Sequence, residues 1–377
     1  MESTNNNKKI RYAIVGAGDI AQEAILPAFE HAENSELVTI VSGDEDKREE
    51  LGKRYGLRKT YAYEQFDECL KSGDIDAVYI ALPNHLHRTY AERAAKAGMH
   101  ILCEKPLAPS EEDCRKIIDA AKAGKVRLMV AYRLHFDPVN LEAIRLSESG
   151  RLGDLRIFDS TFSQQVEAGN VRLTATVDQG GGPLFDMGVY CVNAARYLFR
   201  DEPEEVFAFR GNNGEKRFEK TEEMVSVLLR FPHDRIANFT ASFGAASTGR
   251  YSLVGTKGVL TLDPAYSYAK DTRLKVTADE NTNEQIFPKH DQFAPELIYF
   301  SDCILNNREP EPSGEEGLID VQIIRAAYES IESKRSVKIK SAKRADRPEP
   351  GQKIERPPVE EPELVHARPP SPEKKKK

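Results

Sequence analysis

A run of β-branched and aromatic side chains, Ile10–Val15, stops on Gly16-Ala17-Gly18-Asp19-Ile20-Ala21 and passes into helical spacing from Asp19 to Ala32. Strand, glycine turn and helix in that order form a G-x-G-x-x-A cradle. Gly16 permits the tight turn, Gly18 lets the backbone approach a pyrophosphate, and Ala21 lets the helix pack closely on the strand. The helix N-terminus, with Asp19 and Ile20, offers free N–H groups and partial positive charge to a phosphate. A chain that opens this way is expected to bind a dinucleotide. The bland alternative is a glycine-rich turn in an α/β protein.

The alternation continues. Leu37–Val41, Asp76–Leu82, Met99–Cys103 and Val126–Ala131 read as strands, with helices at Tyr90–Gly98 and Ser110–Gly124. Strands separated by helices imply a parallel sheet covered on both faces. From Leu155 the connections shorten, and Arg156–Gln164, Glu205–Gly211, Met224–Phe231, Ile236–Phe243, Arg250–Gly255 and Gly258–Leu262 read as antiparallel neighbours. Helices are expected at Pro183–Leu198, Gln292–Asn306 and Glu315–Lys334, the last opened by a Ser313–Glu316 capping box. The fold class is therefore α/β: a dinucleotide-binding domain with a parallel sheet over 10–132, then an α+β domain over 133–340 with a mostly antiparallel sheet and helices on one face.

At 377 residues the chain exceeds one ordinary domain of roughly 100–200 residues. Its net charge of −7 argues against a nucleic-acid partner. No apolar run reaches the roughly 18 residues of a membrane span. Residues 1–9 are polar, are expected to be flexible and lack a signal peptide's apolar core, so the reading is a cytoplasmic protein. The cysteines, Cys69, Cys103, Cys114, Cys191 and Cys303, are odd in number and form no C-x-x-C pair, which suits reduced structural thiols. Residues 341–377 hold 8 of the 21 prolines and end in lysines; a disordered Pro/Lys-rich tail is expected there. His85 and His87 form H-x-H, but no acid or thiol stands at ligand spacing, so no metal is expected.

The tip of the second strand decides which dinucleotide fits. An acid there would bond the ribose 2′-hydroxyl of NAD and repel the 2′-phosphate of NADP. This strand ends Val41-Ser42-Gly43-Asp44, with Lys47 and Arg48 following. Ser42 can donate to a phosphate and Lys47 or Arg48 can supply charge, which favours NADP. NAD, with Asp44 on the ribose, is the less favoured reading. Further residues fall at strand ends, where ligands bind open α/β sheets: Leu82-Pro83-Asn84 with His87, Glu104-Lys105-Pro106, and Arg133. A second cluster, Gly180-Gly181-Gly182-Pro183-Leu184-Phe185-Asp186-Met187-Gly188-Val189-Tyr190, places Asp186 and Tyr190 four apart on one helix face.

These segments, with Val41-Ser42-Gly43-x-x-x-Lys47, Tyr132-Arg133-x-His135-x-Asp137-Pro138 and Ser313-Gly314-Glu315-Glu316-Gly317, resemble the Gfo/Idh/MocA oxidoreductases, in the glucose–fructose oxidoreductase branch, from about residue 10 to 337. The resemblance implies a Rossmann domain over 10–132, a substrate and oligomerisation domain over 133–340 with an open-faced sheet, and nicotinamide-dependent oxidation of a sugar at a hydroxyl carbon, in a homodimer or homotetramer joined through the C-terminal sheet. It puts Lys105, Asp186 and Tyr190 at the catalytic positions. Ser42, Lys47 and Tyr63 match contacts to the 2′-phosphate end, and Leu82, Asn84, His87, Glu104 and Arg133 match the nicotinamide side. Arg172 joins Lys105, Asp186 and Tyr190 as a substrate residue. A phenol with an ordinary pKa of about 10 serves as base near neutrality only with positive charge beside it, which Lys105 and the nicotinamide ring would provide. The expected enzyme moves hydride between an aldose, or a related cyclic polyol, and NADP. An inositol, xylose or dihydrodiol dehydrogenase, or a non-catalytic nucleotide-binding regulator, is the alternative. Ser42→Asp should raise the Michaelis constant for NADP sharply; an unchanged NADP/NAD preference would remove the assignment of the 2′-phosphate end.

Overall fold

Strand β1 (Ile10–Val15) is buried at all but one of its positions, which its apolar, β-branched composition allows and a central parallel strand requires. The computed structural model describes residues 8–340 and 346–369. The expected flexible N-terminus lies outside the described residues apart from Lys8 and Lys9, and the tail does so at 341–345 and 370–377.

β1 is flanked by β2 (Ser35–Val41) and β3 (Ala77–Ile80), followed outward by β4 (His100–Glu104) and β5 (Leu128–Ala131). The sheet order is β2-β1-β3-β4-β5 and every pairing is parallel. The order reverses between β1 and β3, so their carboxyl ends open a crevice of the kind that holds ligands. Ser110 caps the helix Glu111–Gly124, its Oγ accepting the Asp113 N–H at 3.1 Å. The helix expected over Asp19–Ala32 is instead a π-turn at Ala21–Ile25, an α-turn at Leu26–Ala28 and a 3₁₀ turn at Phe29–His31. Pro27 has no N–H to return to an earlier carbonyl, which breaks the regular ladder.

The second sheet has nine strands. After β6 (Leu155–Ser163) come β7 (Glu205–Gly211), β8 (Met224–Phe231), β9 (Arg235–Ser242), β10 (Thr248–Gly255), β11 (Gly258–Asp263), β12 (Thr272–Ala278), β13 (Asn281–Phe287) and the short β14 (Val337–Lys338). The order is β13-β12-β11-β10-β6-β9-β8-β7-β14, antiparallel except for β6 beside β9. β8 alternates strictly: Val225, Val227 and Leu229 are buried in the apolar core that the helices Val189–Phe199 and Gly314–Ser333 also enter, while Ser226, Leu228 and Arg230 face outward. Ile157, Phe209 and Leu228 leave the open face partly apolar.

Glu316, expected to close a capping box with Ser313, turns inward. Arg196, fully buried, donates to Glu316 at 2.8 Å, Asp320 at 2.6 Å and Glu202 at 2.5 Å. Asn193 and Tyr132 complete the network, Tyr132 Oη donating to Asp320 at 2.6 Å. The tail is joined to it. Arg347 is 5% exposed and pairs with Glu202 at 2.6 Å. Residues 346–369 therefore depart from the expected disorder: polar anchors hold the segment where no apolar periodicity could.

Arg196→Met should destabilise the protein by about 3–5 kcal/mol, because three buried carboxylates lose their shared cation. Urea unfolding measures this, and a loss below about 1 kcal/mol would mean that the network is not held by charge.

Candidate cofactor and catalytic site

The cradle has the form its glycines require. Gly16 stands at φ 102, and a Cβ there would meet the Ala81 carbonyl oxygen at 2.4 Å. Gly18 is exposed and would carry a Cβ into open space, so the turn leaves backbone room for a pyrophosphate. Asp19 and Ile20 follow, both partly exposed. Leu82 closes on Gly16 from the end of β3, and Pro83 leads into the 3₁₀ turn Asn84–Leu86.

At the other end of the crevice Ser42 is buried at the tip of β2, and Gly43 brings the chain against the Tyr63 ring. Arg48 Nη1 donates to the Ser42 carbonyl at 2.7 Å, so this guanidinium shapes the tip. Asp44 is the N-cap of the helix Glu45–Arg54; its Oδ1 accepts the Lys47 N–H at 3.0 Å. The Lys47 N–H and the His366 ring hold the Asp44 carboxyl below its usual range. Each oxygen of the Asp44 carboxyl thus already accepts a hydrogen bond, and the residues at this tip fit a 2′-phosphate nucleotide.

Lys105, Asp186, Tyr190 and Arg172 meet where the domains face each other. The Lys105 Nζ lies 3.5 Å from Asp186 Oδ1, donates to the Asp186 carbonyl at 3.1 Å, and stands 4.6 Å from the Tyr190 ring centroid. Arg172 Nε reaches Asp186 Oδ2 at 2.8 Å. Asp186 sits in a π-turn, Leu184–Gly188, that runs into the helix Val189–Phe199 carrying Tyr190. The wider turn and the glycine run before it set these side chains at the crevice. Gly181 has no room for a Cβ, which would stand 2.1 Å from the Ala175 carbonyl oxygen. Asn84 ties the first domain to this loop, donating to the Gly180 carbonyl at 2.8 Å.

The charges explain the ionisation states. Burial works to lower the Lys105 pKa, but Tyr190, Asp186 and Glu104 outweigh it and the ammonium is held above its usual range. Burial would raise Asp186; Arg172 and Lys105 overcome that and keep it ionised. Tyr190 is half-buried between Phe162 and Tyr266, with the Arg133 guanidinium 5.2 Å from its ring.

Beneath this group lies a layer in which Arg133 and Glu104, both expected at the nicotinamide side, are joined by Tyr79, Tyr266, Gln292 and Glu296, which sequence reasoning missed. Arg133, nearly buried, donates to the Tyr266 carbonyl at 2.7 Å and to the Gln292 side chain. Tyr79 Oη donates to Glu104 Oε1 at 3.0 Å and lies 3.5 Å from Glu296 Oε2. Glu104 and Glu296 are both pushed up, first by burial; the charge of each weighs on their shared tyrosine, and Glu104 weighs on Glu296. His87 corrects an expectation. It is fully buried, with Nε2 2.8 Å from the Leu82 carbonyl and Nδ1 3.1 Å from that of Pro106. It braces the ends of β3 and β4 from below and lines no crevice.

A carboxyl whose folded pKa lies above its unfolded value adds stability below about pH 4 that is withdrawn as the pH rises through the folded value. Glu296→Gln should therefore be more stable than the parent at pH 8, and the difference should vanish near pH 4. Urea unfolding across that range tests it, and a pH-independent difference would mean that Glu296 is ionised in the fold.

Comparison with known proteins agrees with this architecture. Residues 10–132 match the model of an oxidoreductase family with an NAD-binding Rossmann fold, and residues 140–261 match the GFO/IDH/MocA C-terminal domain. The structure is similar to that of aldose-aldose oxidoreductase from Caulobacter crescentus complexed with glycerol, at 36% identity and a TM-score of 0.84 over 88% of this chain and 100% of that one. A 3-ketoreductase from Actinomadura kijaniata, in complex with NADP and TDP-benzene, is 26% identical with a TM-score of 0.78, over 86% of this chain and 98% of that one. The NADP(+) D-xylose 1-dehydrogenase of Haloarcula marismortui is 29% identical over 90% of this chain and 95% of its own length. An α/β chain with these two domains, this cradle and these relatives belongs to the Gfo/Idh/MocA oxidoreductase family.

Proposed function

We propose that the chain is an NADP-dependent sugar oxidoreductase acting on a hydroxyl carbon of an aldose or related cyclic polyol. The observation that carries this reading is the Lys105 ammonium lying 4.6 Å from the centre of the Tyr190 ring, with Asp186 beside it. The relatives named for aldoses, for D-xylose and for a 3-keto sugar reduction support the substrate class, and those named with NADP support the cofactor. Residues 10–132 hold the nucleotide, and 133–340 supply Arg172, Asp186 and Tyr190.

Bound along the crevice, the nicotinamide supplies the acceptor for the substrate's hydride. Tyr190 takes the hydroxyl proton at its phenol oxygen. Lys105, held as an ammonium by its anionic neighbours, steadies the negative charge that develops on the substrate oxygen. Asp186 is bonded to both Lys105 and Arg172, which fixes one cation beside the phenol and sets the other for a sugar hydroxyl. Phe162 and Tyr266 wall the phenol and limit water around it. Glu104 and Asn84 position the group from the first domain, and Arg133 does so from the start of the second.

The partly apolar open face, with Ile157, Phe209 and Leu228, supports a homodimer or homotetramer joined through the C-terminal sheet. The five cysteines, all buried free thiols, support a reducing, cytoplasmic setting. Among the described residues no helix is long and apolar enough to cross a membrane.

With NADP and a panel of aldoses including D-xylose, Tyr190→Phe should lower kcat by about 10²–10⁴ while leaving nucleotide affinity within a few-fold. A drop in kcat of less than a few-fold would remove Tyr190 from the role of base. Turnover of none of the panel by the parent would remove the substrate class.

A further inference from the structure

Residues 346–369 leave the second domain at the Arg347–Glu202 pair and run across to the first. Gln352 Nε2 donates to the Glu311 carbonyl at 3.0 Å, and Arg356 Nε to the His31 carbonyl at 3.0 Å. The segment then reaches the adenosine end of the crevice. Arg54 Nη1 donates to the Glu363 carbonyl at 2.6 Å. Val365, 5% exposed, is paired in both directions with one side chain: its N–H donates to Gln22 Oε1 at 2.7 Å, and its carbonyl accepts from Gln22 Nε2 at 2.9 Å. Gln22 directly follows the cradle, is itself buried, and also donates to the Ala17 carbonyl inside it at 2.9 Å.

The next residue meets the acid after the β2 tip. His366 Nδ1 lies 3.0 Å from Asp44 Oδ2 and 3.9 Å from Asp46 Oδ2. Asp44 comes two residues after Ser42, where an acid in this fold would accept the ribose 2′-hydroxyl of NAD and repel the 2′-phosphate of NADP. Here both of its oxygens are committed, Oδ1 to the helix N-terminus and Oδ2 to the histidine.

We propose that residues 363–366 are a wall of the cofactor site and that His366 is a specificity residue: by bonding Asp44 Oδ2 it competes with a ribose hydroxyl for that carboxylate and so favours NADP over NAD. The proposal rests on the NADP reading above. Its second consequence is slower release, because a segment pinned to the cradle through Gln22 and to the helix through Asp44 has to part from one of them before the adenosine end is open.

The test is calorimetric titration of the nucleotide-free full chain with NADP and with NAD, for the parent, His366→Ala, Asp44→Asn and the double variant, with NADPH release followed by its own fluorescence. His366 is exposed, so its loss should leave the thermal midpoint nearly unchanged. His366→Ala should shift the NADP/NAD affinity ratio toward NAD by about tenfold, the loss of one hydrogen bond to a charged group, and should speed NADPH release. In the Asp44→Asn background, where an amide still caps the helix but carries no charge, the same change should move the ratio less than about twofold. A ratio that stays within twofold in the parent background, or that moves equally in both backgrounds, overturns the proposal. A parent that binds neither nucleotide overturns instead the function on which it rests.

Discussion

An ammonium from one domain and a carboxylate from the other, Lys105 and Asp186, stand 3.5 Å apart, and the site exists only because both domains deliver their partner there. Lys105 comes from the end of β4, whose position follows from the parallel sheet. Asp186 comes from a π-turn led in by three glycines, whose backbone fits against Ala175 only without a side chain at Gly181. Buried cations are expensive unless paired, and buried acids likewise. Each of these groups is therefore the condition for the other's charge. Tyr190 gains its position from the same arrangement, because the helix that presents it starts where the Asp186 turn ends.

Around this pair the fold separates charges that are satisfied from charges that are not. Arg196 serves Glu202, Glu316 and Asp320, and the network joins the helix Val189–Phe199 to Gly314–Ser333 behind the site. Nearer the crevice, Glu104 and Glu296 share Tyr79, and Arg133 lies close enough to lower both only in part. Burial wins there and both acids rise. The result is a cationic upper layer, Lys105 and Arg172 around Asp186, over a lower layer that carries less negative charge than its residues suggest.

Much of this was legible in the residues. β1 announced itself by its apolar, β-branched composition, and β7 and β8 by short apolar runs between short connections. The cradle and the Lys105, Asp186 and Tyr190 positions were legible because glycine runs and strand ends constrain backbone, and backbone constraints are local. β13 was not: Asn281–Phe287 is almost wholly exposed and is held by its ladder to β12, so it has no burial pattern to display. β12 does alternate, and its reading was missed. Glu296, Gln292 and Tyr266 reach the site from far along the chain, where nothing local distinguishes an acid under a cofactor from one in solvent. His87 shows the converse, a motif residue whose ring supports the loops instead of lining the crevice.

The least legible part was the tail, because composition measures what a segment can bury by itself. Residues 346–369 bury little of their own: Val365 and Pro348 are buried apolar anchors, and Arg347 is a charge that burial alone would disfavour. What orders them is backbone and side-chain bonding to groups already fixed by the fold, Glu202, His31 and Gln22. Prolines help, since a chain with fewer conformations loses less entropy when it is pinned. The same logic governs the acids at both ends of the crevice. A carboxylate beside a site for an anionic ligand is tolerable when its charge is already committed. Asp186 is committed to Lys105 and Arg172, and Asp44 to a helix N-terminus and a histidine from the far end of the chain. The crevice can then present net positive character to a phosphorylated nucleotide even though the chain as a whole carries −7.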